Sequence, residues 1–234
     1  MPPDPTPRPP VVHVVHTSFV SHQDLTALFR ELAPGVTVRH TVDDSLLPEV
    51  LAHGGVTPRV RSRLCEYYKA AELAGADVIF NQCSSVGEAA DLAAQVVGVP
   101  VIKVDQRMAE VACATGRRIG VVATLETTLG PTCRLVEATA RRLGREIELT
   151  RVLVAGAFDV LVAGDRPRHN RMVLEAIRGL VDRVDVVVCA QGSMVAILPE
   201  LGPTRVPVLT SPRLGVQSVA DFLRSRGTPV QEGA

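Results

Sequence analysis

Two halves of this chain repeat one another in order and spacing, and nothing else in the sequence constrains the fold so strongly. Val14-Val15-His16-Thr17 resembles Val121-Val122-Ala123-Thr124. Ala76-Asp77-Val78-Ile79-Phe80-Asn81-Gln82-Cys83-Ser84-Ser85 resembles Val184-Asp185-Val186-Val187-Val188-Cys189-Ala190-Gln191-Gly192-Ser193. Each later segment leads to Val-Pro-Val, at Val99-Pro100-Val101 and Val206-Pro207-Val208. Thr17 precedes Cys83 by 66 residues and Thr124 precedes Gln191 by 67, so the landmarks stay in register. Self-similarity of this kind takes precedence over local propensity in deciding a fold.

Within each half, β-branched apolar runs alternate with helical patterns. Strands are expected over Val11–Ser18, Val36–Val42, Asp77–Gln82, Val99–Val104, Arg118–Ala123, Ile147–Val154, Asp185–Ala190 and Val206–Leu209. Helices are expected near Gln23–Leu32, Thr57–Ala74, Ser85–Val97, Glu110–Thr115, Thr132–Leu143, Arg168–Val181 and Val216–Ser225. Several strands are apolar throughout, as strands covered on both faces are. The alternation therefore predicts an α/β fold of two similar, doubly wound parallel-sheet lobes related by a pseudo-twofold. Residues 11–105 with 208–234 would form the first lobe and residues 106–207 the second. Residues 1–10 are proline-rich without an apolar stretch, so a disordered tail is expected there, not a secretory signal. Ligands of open parallel sheets bind beyond the carboxyl ends of the strands. Thr17 with Ser18, Cys83, Thr124 and Gln191 would then converge on one cleft between the lobes.

Charge and aromatic content narrow the class of ligand. Lys and Arg number 25, Asp and Glu also 25, aromatics are 3 % and Trp is absent. Nucleic-acid binding lacks both its positive field and its stacking surface. No apolar run approaches the ~20 residues of a membrane helix. The five cysteines form neither a C-x-x-C pair nor a zinc pattern, so no metal is expected, and reduced thiols in the cytoplasm are. There is no G-x-G-x-x-G, P-loop or G-x-S-x-G, so the usual markers of dinucleotide binding, phosphoryl transfer and α/β-hydrolase chemistry are missing.

Cys83 is the leading candidate for chemistry. It closes an apolar strand inside the polar run Asn81-Gln82-Cys83-Ser84-Ser85, and Ser85-x-x-Glu88 reads as a capping box opening a helix. A thiol beside free helix amides is biased toward thiolate, able to act as base or nucleophile. The alternative is a small buried hydrophobe. Cys189 has two readings, a core thiol or a second acid/base at the cleft's edge, because Gln191 holds the position matching Cys83. Ser84, Ser85, Gly192 and Ser193 would open helices whose amides hold a carboxylate, Thr124, Thr127 and Thr128 would add hydroxyls, and Asn81 would be a further substrate contact. Ordinary helix capping is the competing role for each. His16 lies near a strand end, where a structural histidine competes with a site residue; His13 should face the other side of the strand. Asp105 would cap the helix that follows it.

These residues together resemble the aspartate/glutamate/hydantoin racemase superfamily. The resemblance runs from about Val11 to Leu223, through Asp43-Asp44-Ser45-Leu46-Leu47, the segment Gly75 to Gly87, Val99-Pro100-Val101, Ile119 to Thr124, Asp185 to Met194 and Pro207-Val208-Leu209. It implies two α/β lobes, no cofactor, and acid/base chemistry on a small carboxylate in the cleft between them. It further implies Cys83 as the first-lobe thiol, Ser84 and Ser85 as substrate contacts, and Thr124 and Thr127 as the second-lobe threonine motif. In the racemases of this superfamily a thiol from each lobe flanks the reacting carbon. Here Gln191 stands where the second thiol belongs, so two-base racemisation needs Cys189 in that role. Otherwise a single-thiol decarboxylase, a maleate-type cis–trans isomerase or a non-catalytic acid-binding protein is expected. The residues are compatible with a homo-oligomer without specifying one.

Overall fold

The computed structural model describes residues 8–19 and 21–227. In chain order its elements are β1 (Val11–His16), α1 (His22–Leu32), β2 (Thr37–Val42), α2 (Leu46–Ala52), α3 (Pro58–Leu73), β3 (Val78–Asn81), α4 (Gly87–Ala93), β4 (Val101–Lys103) and α5 (Gln106–Thr115). They continue with β5 (Arg118–Ala123), α6 (Glu126–Arg142), β6 (Glu148–Leu153), α7 (Ala157–Val162), α8 (Arg166–Arg178), β7 (Val186–Cys189), α9 (Leu198–Leu201), β8 (Val208–Thr210) and α10 (Ser211–Ser225). Two parallel four-stranded sheets result, ordered β2-β1-β3-β4 and β6-β5-β7-β8. The two orders are the same, which is the internal repeat expressed as topology.

Each sheet is covered on both faces, as its apolar strands require. In the first, Val12, Val14, Val78 and Phe80 face α1 and α10, while Val15 and Ile79 face α2, α3 and α4. In the second, Val121, Ala123, Val186 and Val188 face α5 and α6, while Val122, Val187 and Cys189 face α7 and α8. The lobes exchange helices. The helix after β4 covers the second sheet, and the helix after β8 returns to cover the first. Because β8 pairs with β7, the chain re-enters the first lobe at Ser211 and not at residue 208.

The repeat also fixes how each lobe begins. Asp77, before β3, accepts the Val11 amide at 2.7 Å and pairs with the Arg8 guanidinium at 2.8 and 2.9 Å. Asp185, before β7, accepts the Arg118 amide at 2.8 Å and the Arg117 amide at 3.0 Å, and binds the Arg118 side chain at 2.6 Å. Of the expected tail, residues 1–7 lie outside the described residues. Arg8 to Pro10 do not form a tail: Arg8 is held by Asp77, and the Pro10 carbonyl accepts the Thr37 amide at 2.8 Å.

Arg118 and the amides hold the Asp185 carboxyl at about 2, below its ordinary 3.8. A depressed folded-state pKa contributes stability that is complete above the unfolded value and disappears as pH falls through the folded one. Wild-type stability should therefore drop between about pH 4 and 2, and Asp185→Asn should flatten that part of the profile. Urea unfolding across this range checks it.

Candidate active site

The carboxyl ends of β1, β3, β5 and β7 face one another across a cleft of about 160 Å³ between the lobes. The first lobe lines it with Thr17, Ser18, Ser21, Leu47, Gln82, Cys83, Ser84 and Ser85. The second lobe supplies Leu125, Thr128, Phe158, Leu161, Ala190, Gln191, Gly192 and Ser193. None of these residues is charged, so an anion in the cleft meets neutral hydroxyl, amide and thiol groups.

Cys83 follows the buried strand β3 and begins the tight turn Ser84–Val86. Asn81 holds that turn: its Nδ2 donates to the Cys83 carbonyl at 3.0 Å, and its Oδ1 accepts the Tyr68 hydroxyl at 3.2 Å. Asn81 is thus a buried support under the turn and does not line the cleft, contrary to its expected substrate contact. Burial pushes the Cys83 thiol pKa up. The Thr17 hydroxyl, the Ser85 and Val86 amides and the Ser85 hydroxyl oppose that rise by favouring the thiolate.

The expected capping box does not form. Ser85 Oγ instead meets Thr128 Oγ1 at 2.8 Å, and Glu88 binds Arg134 at 2.5 and 3.1 Å. Both side chains reach across to α6 and join the lobes. The expected helix Ser85–Val97 is correspondingly broken into the turn Ser84–Val86, α4 and a second turn, Ala94–Val96.

In the second lobe, Gln191 occupies the place opposite Cys83 in the repeat. Its Oε1 accepts the Thr124 amide at 2.7 Å, and its Nε2 donates to Thr124 Oγ1 at 2.8 Å. Thr124 therefore orients Gln191 without lining the cleft itself, and one Nε2 hydrogen is left for a ligand. Thr127 also stays out of the lining, whereas Thr128 and Leu125 enter it at the start of the seventeen-residue helix α6. The positive end of that helix favours an anion nearby.

Cys189 does not reach the cleft. It is fully buried between Val122, Val187 and Met194, and burial alone pushes its pKa up to about 12. Its strand ends there, and the chain rises into the cleft only at Ala190 and Gln191. Cys189→Ala should cost about 1 kcal/mol of stability, the scale of one buried heavy atom, and leave turnover unchanged. A denaturant melt and an activity assay check the two halves of that expectation.

His16 is also taken up by structure. Its Nε2 lies 2.9 Å from His40 Nδ1, and both rings stack near His22. Burial first, then its histidine neighbours, lower the His16 pKa to about 4, so the ring is neutral near pH 7. His13 lies at the side of Thr41, 2.8 Å away. Asp105 takes the position before α5 but makes no capping bond. Among the described residues no group of three or more His, Cys, Asp or Glu is placed to hold a metal ion, and no helix is long and apolar enough to cross a membrane.

Sequence reasoning missed the apolar side of the cleft. Leu47 projects from α2, Phe158 and Leu161 from α7, and both helices are too short for a periodic signal. Asp43, just before α2, positions Leu47. Its carboxylate accepts the Tyr67 hydroxyl at 2.5 Å, the Ser45 amide at 3.0 Å and the Ser45 hydroxyl at 2.6 Å, and it pairs with Arg63 at 3.1 Å.

Two repeated α/β lobes thus share one cleft at their common strand ends, lined by a thiol and by neutral hydroxyl and amide groups. Residues 15–219 match the Asp/Glu/Hydantoin racemase family, and the chain belongs to it. It is similar in fold to a glutamate racemase of Bacillus anthracis, at 16% identity and a TM-score of 0.73, covering 97% of this chain and 86% of that one. An allantoin racemase from Klebsiella pneumoniae is similar at 16% identity and a TM-score of 0.65, covering 95% of this chain and 90% of that one. A glycine-to-cysteine mutant of arylmalonate decarboxylase is similar at 15% identity and a TM-score of 0.55, covering 95% and 96%. No curated protein sequence matches the chain.

Proposed function

We propose that this protein is a cofactor-independent isomerase of a small carboxylate, moving a proton at the carbon next to the carboxyl group with Cys83 as its acid/base. One observation carries the reading: among the described residues Cys83 is the one thiol lining a cleft otherwise walled by neutral groups. A proton beside a carboxylate is very weakly acidic, so its removal needs a placed base and donors for the enolate-like oxygen. Thr17, Ser18, Ser84, Ser85, Thr128, Gln191, Gly192 and Ser193 are the candidates for those donors. Thr124 acts by holding Gln191. The five thiols are all free, which suits a reducing compartment such as the cytoplasm.

A second reading is favoured by Gln191 and by the burial of Cys189. With one thiol, protonation comes from one face, as suits a decarboxylase or a cis–trans isomerase. Incubation with amino acids, hydantoins, maleate and substituted malonates in D2O separates the readings. Loss of the α-proton signal with loss of optical rotation supports the racemase. Carbon dioxide release, or conversion of maleate, supports the second reading. Unaltered substrates throughout, despite binding, would leave the acid-binding protein.

A further inference from the structure

We infer that the substituent on the reacting carbon is an alkyl or aryl group and not a second acid-bearing chain. The inference rests on the proposed Cys83 chemistry only for where the reacting carbon lies. Its evidence is the apolar part of the cleft lining, Leu47 from the first lobe and Leu125, Phe158 and Leu161 from the second.

This apolar lining is built by the repeat. The helices α2 and α7 each follow an edge strand of their sheet, β2 and β6. Each begins with a fully buried anchor, Leu46 or Ala157, and then turns the next residue, Leu47 or Phe158, into the cleft. Leu161 lies three residues beyond Phe158 and therefore on the same helix face. The Asp43 network with Tyr67 and Arg63 fixes the start of α2, so the Leu47 side is held from behind.

Charge decides between an apolar and an acidic substituent. One carboxylate can take the hydroxyls and amides around Cys83 and Gln191. A second, on a side chain like that of aspartate or glutamate, would enter a cleft that has four large apolar residues and no cation in its lining. An uncompensated charge in such a place is strongly disfavoured, while an alkyl or aryl group gains by leaving water. Apolar cavities of about 150 Å³ accept a benzene ring, so the cleft, at about 160 Å³ and shared with the carboxyl group, takes a substituent no larger than one ring.

The test compares phenylglycine and leucine with aspartate and glutamate, each as both enantiomers. Deuterium exchange at the α-carbon is read by NMR, and binding to the Cys83→Ala protein is read by calorimetry. The expected result is at least tenfold faster exchange and tighter binding of the apolar acids. Phe158→Ala should shrink that preference about tenfold or more, the scale of a lost apolar contact. Phe158→Arg, on a half-buried helix face, should raise diacid binding. Cys83-dependent exchange that favours aspartate or glutamate would overturn the substituent while sparing the catalytic role of Cys83. Should no acid exchange, the catalytic reading falls and binding alone decides the substituent. Equal or tighter binding of the diacids, absence of binding by either group, or indifference to both Phe158 variants would overturn it.

Discussion

Cys83→Ala removes proton transfer: turnover falls by about 10²–10⁴-fold, the usual contribution of a placed acid/base. The fold should survive, because the neighbours of Cys83 are tied independently. Asn81 reaches its backbone carbonyl and not its sulfur, and Ser85 is bonded to Thr128. Circular dichroism and thermal melting should therefore match the wild type. Cys83→Ser should be nearly as inactive, since a hydroxyl yields its proton far less readily than a thiol. The pH profile carries the same assignment. Burial holds the thiol above its ordinary 9.0. Proton abstraction uses the thiolate, whose fraction grows about tenfold per pH unit below the pKa. Deuterium exchange should thus climb throughout the neutral range and level off only above about pH 9; a plateau already at pH 7 would contradict the buried setting of the thiol.

Gly215→Ala lowers stability by about 2 kcal/mol or more, a fall of roughly 4–8 °C in Tm. Propensity alone points the other way, since alanine in a helix interior gains about 1 kcal/mol over glycine. Sterics decide the sign. A Cβ at Gly215 would lie 2.6 Å from the Val104 carbonyl oxygen, 2.9 Å from Val104 Cα and 3.0 Å from Phe80 Cζ. The nearest of these atoms is backbone and cannot rotate away. This is also where the helix-exchanging connections meet: Val104 leads into α5, and Gly215 lies in α10. Displacing α10 should therefore disturb the cleft as well as the first-lobe core. Calorimetry should show the lower Tm, and the activity of the remaining folded protein should fall too.

Most of the fold was legible because the repeat and the strands carry strong signals. All eight expected strands form, since each is a β-branched run placed in a covered sheet. Cys83, Ser84, Ser85, Gln191 and Ser193 came together in the cleft because strand ends are where a parallel sheet presents side chains. What stayed hidden depended on tertiary partners. Local sequence offered Ser85 and Glu88 to each other, yet Thr128 and Arg134 from the other lobe took them. Asn81 stood in a polar run, but a buried Tyr68 hydroxyl turned it into a support. Gly130-Pro131 resembles a helix boundary, so the sequence places the start of α6 six residues late, at Thr132; the helix runs through them from Glu126. The apolar wall needed α2 and α7, of seven and six residues, which give no periodicity to read.

The central claim is that Cys83 alone carries the thiol chemistry, with the second lobe contributing Gln191 as a donor. A protein with Cys65, Cys113, Cys133 and Cys189 all replaced by alanine tests it directly. Deuterium incorporation at the substrate's α-carbon, measured by NMR on the folded variant, should persist with Cys83 as the single cysteine. Folded protein without exchange, regaining it when Cys189 alone is restored, would contradict the account.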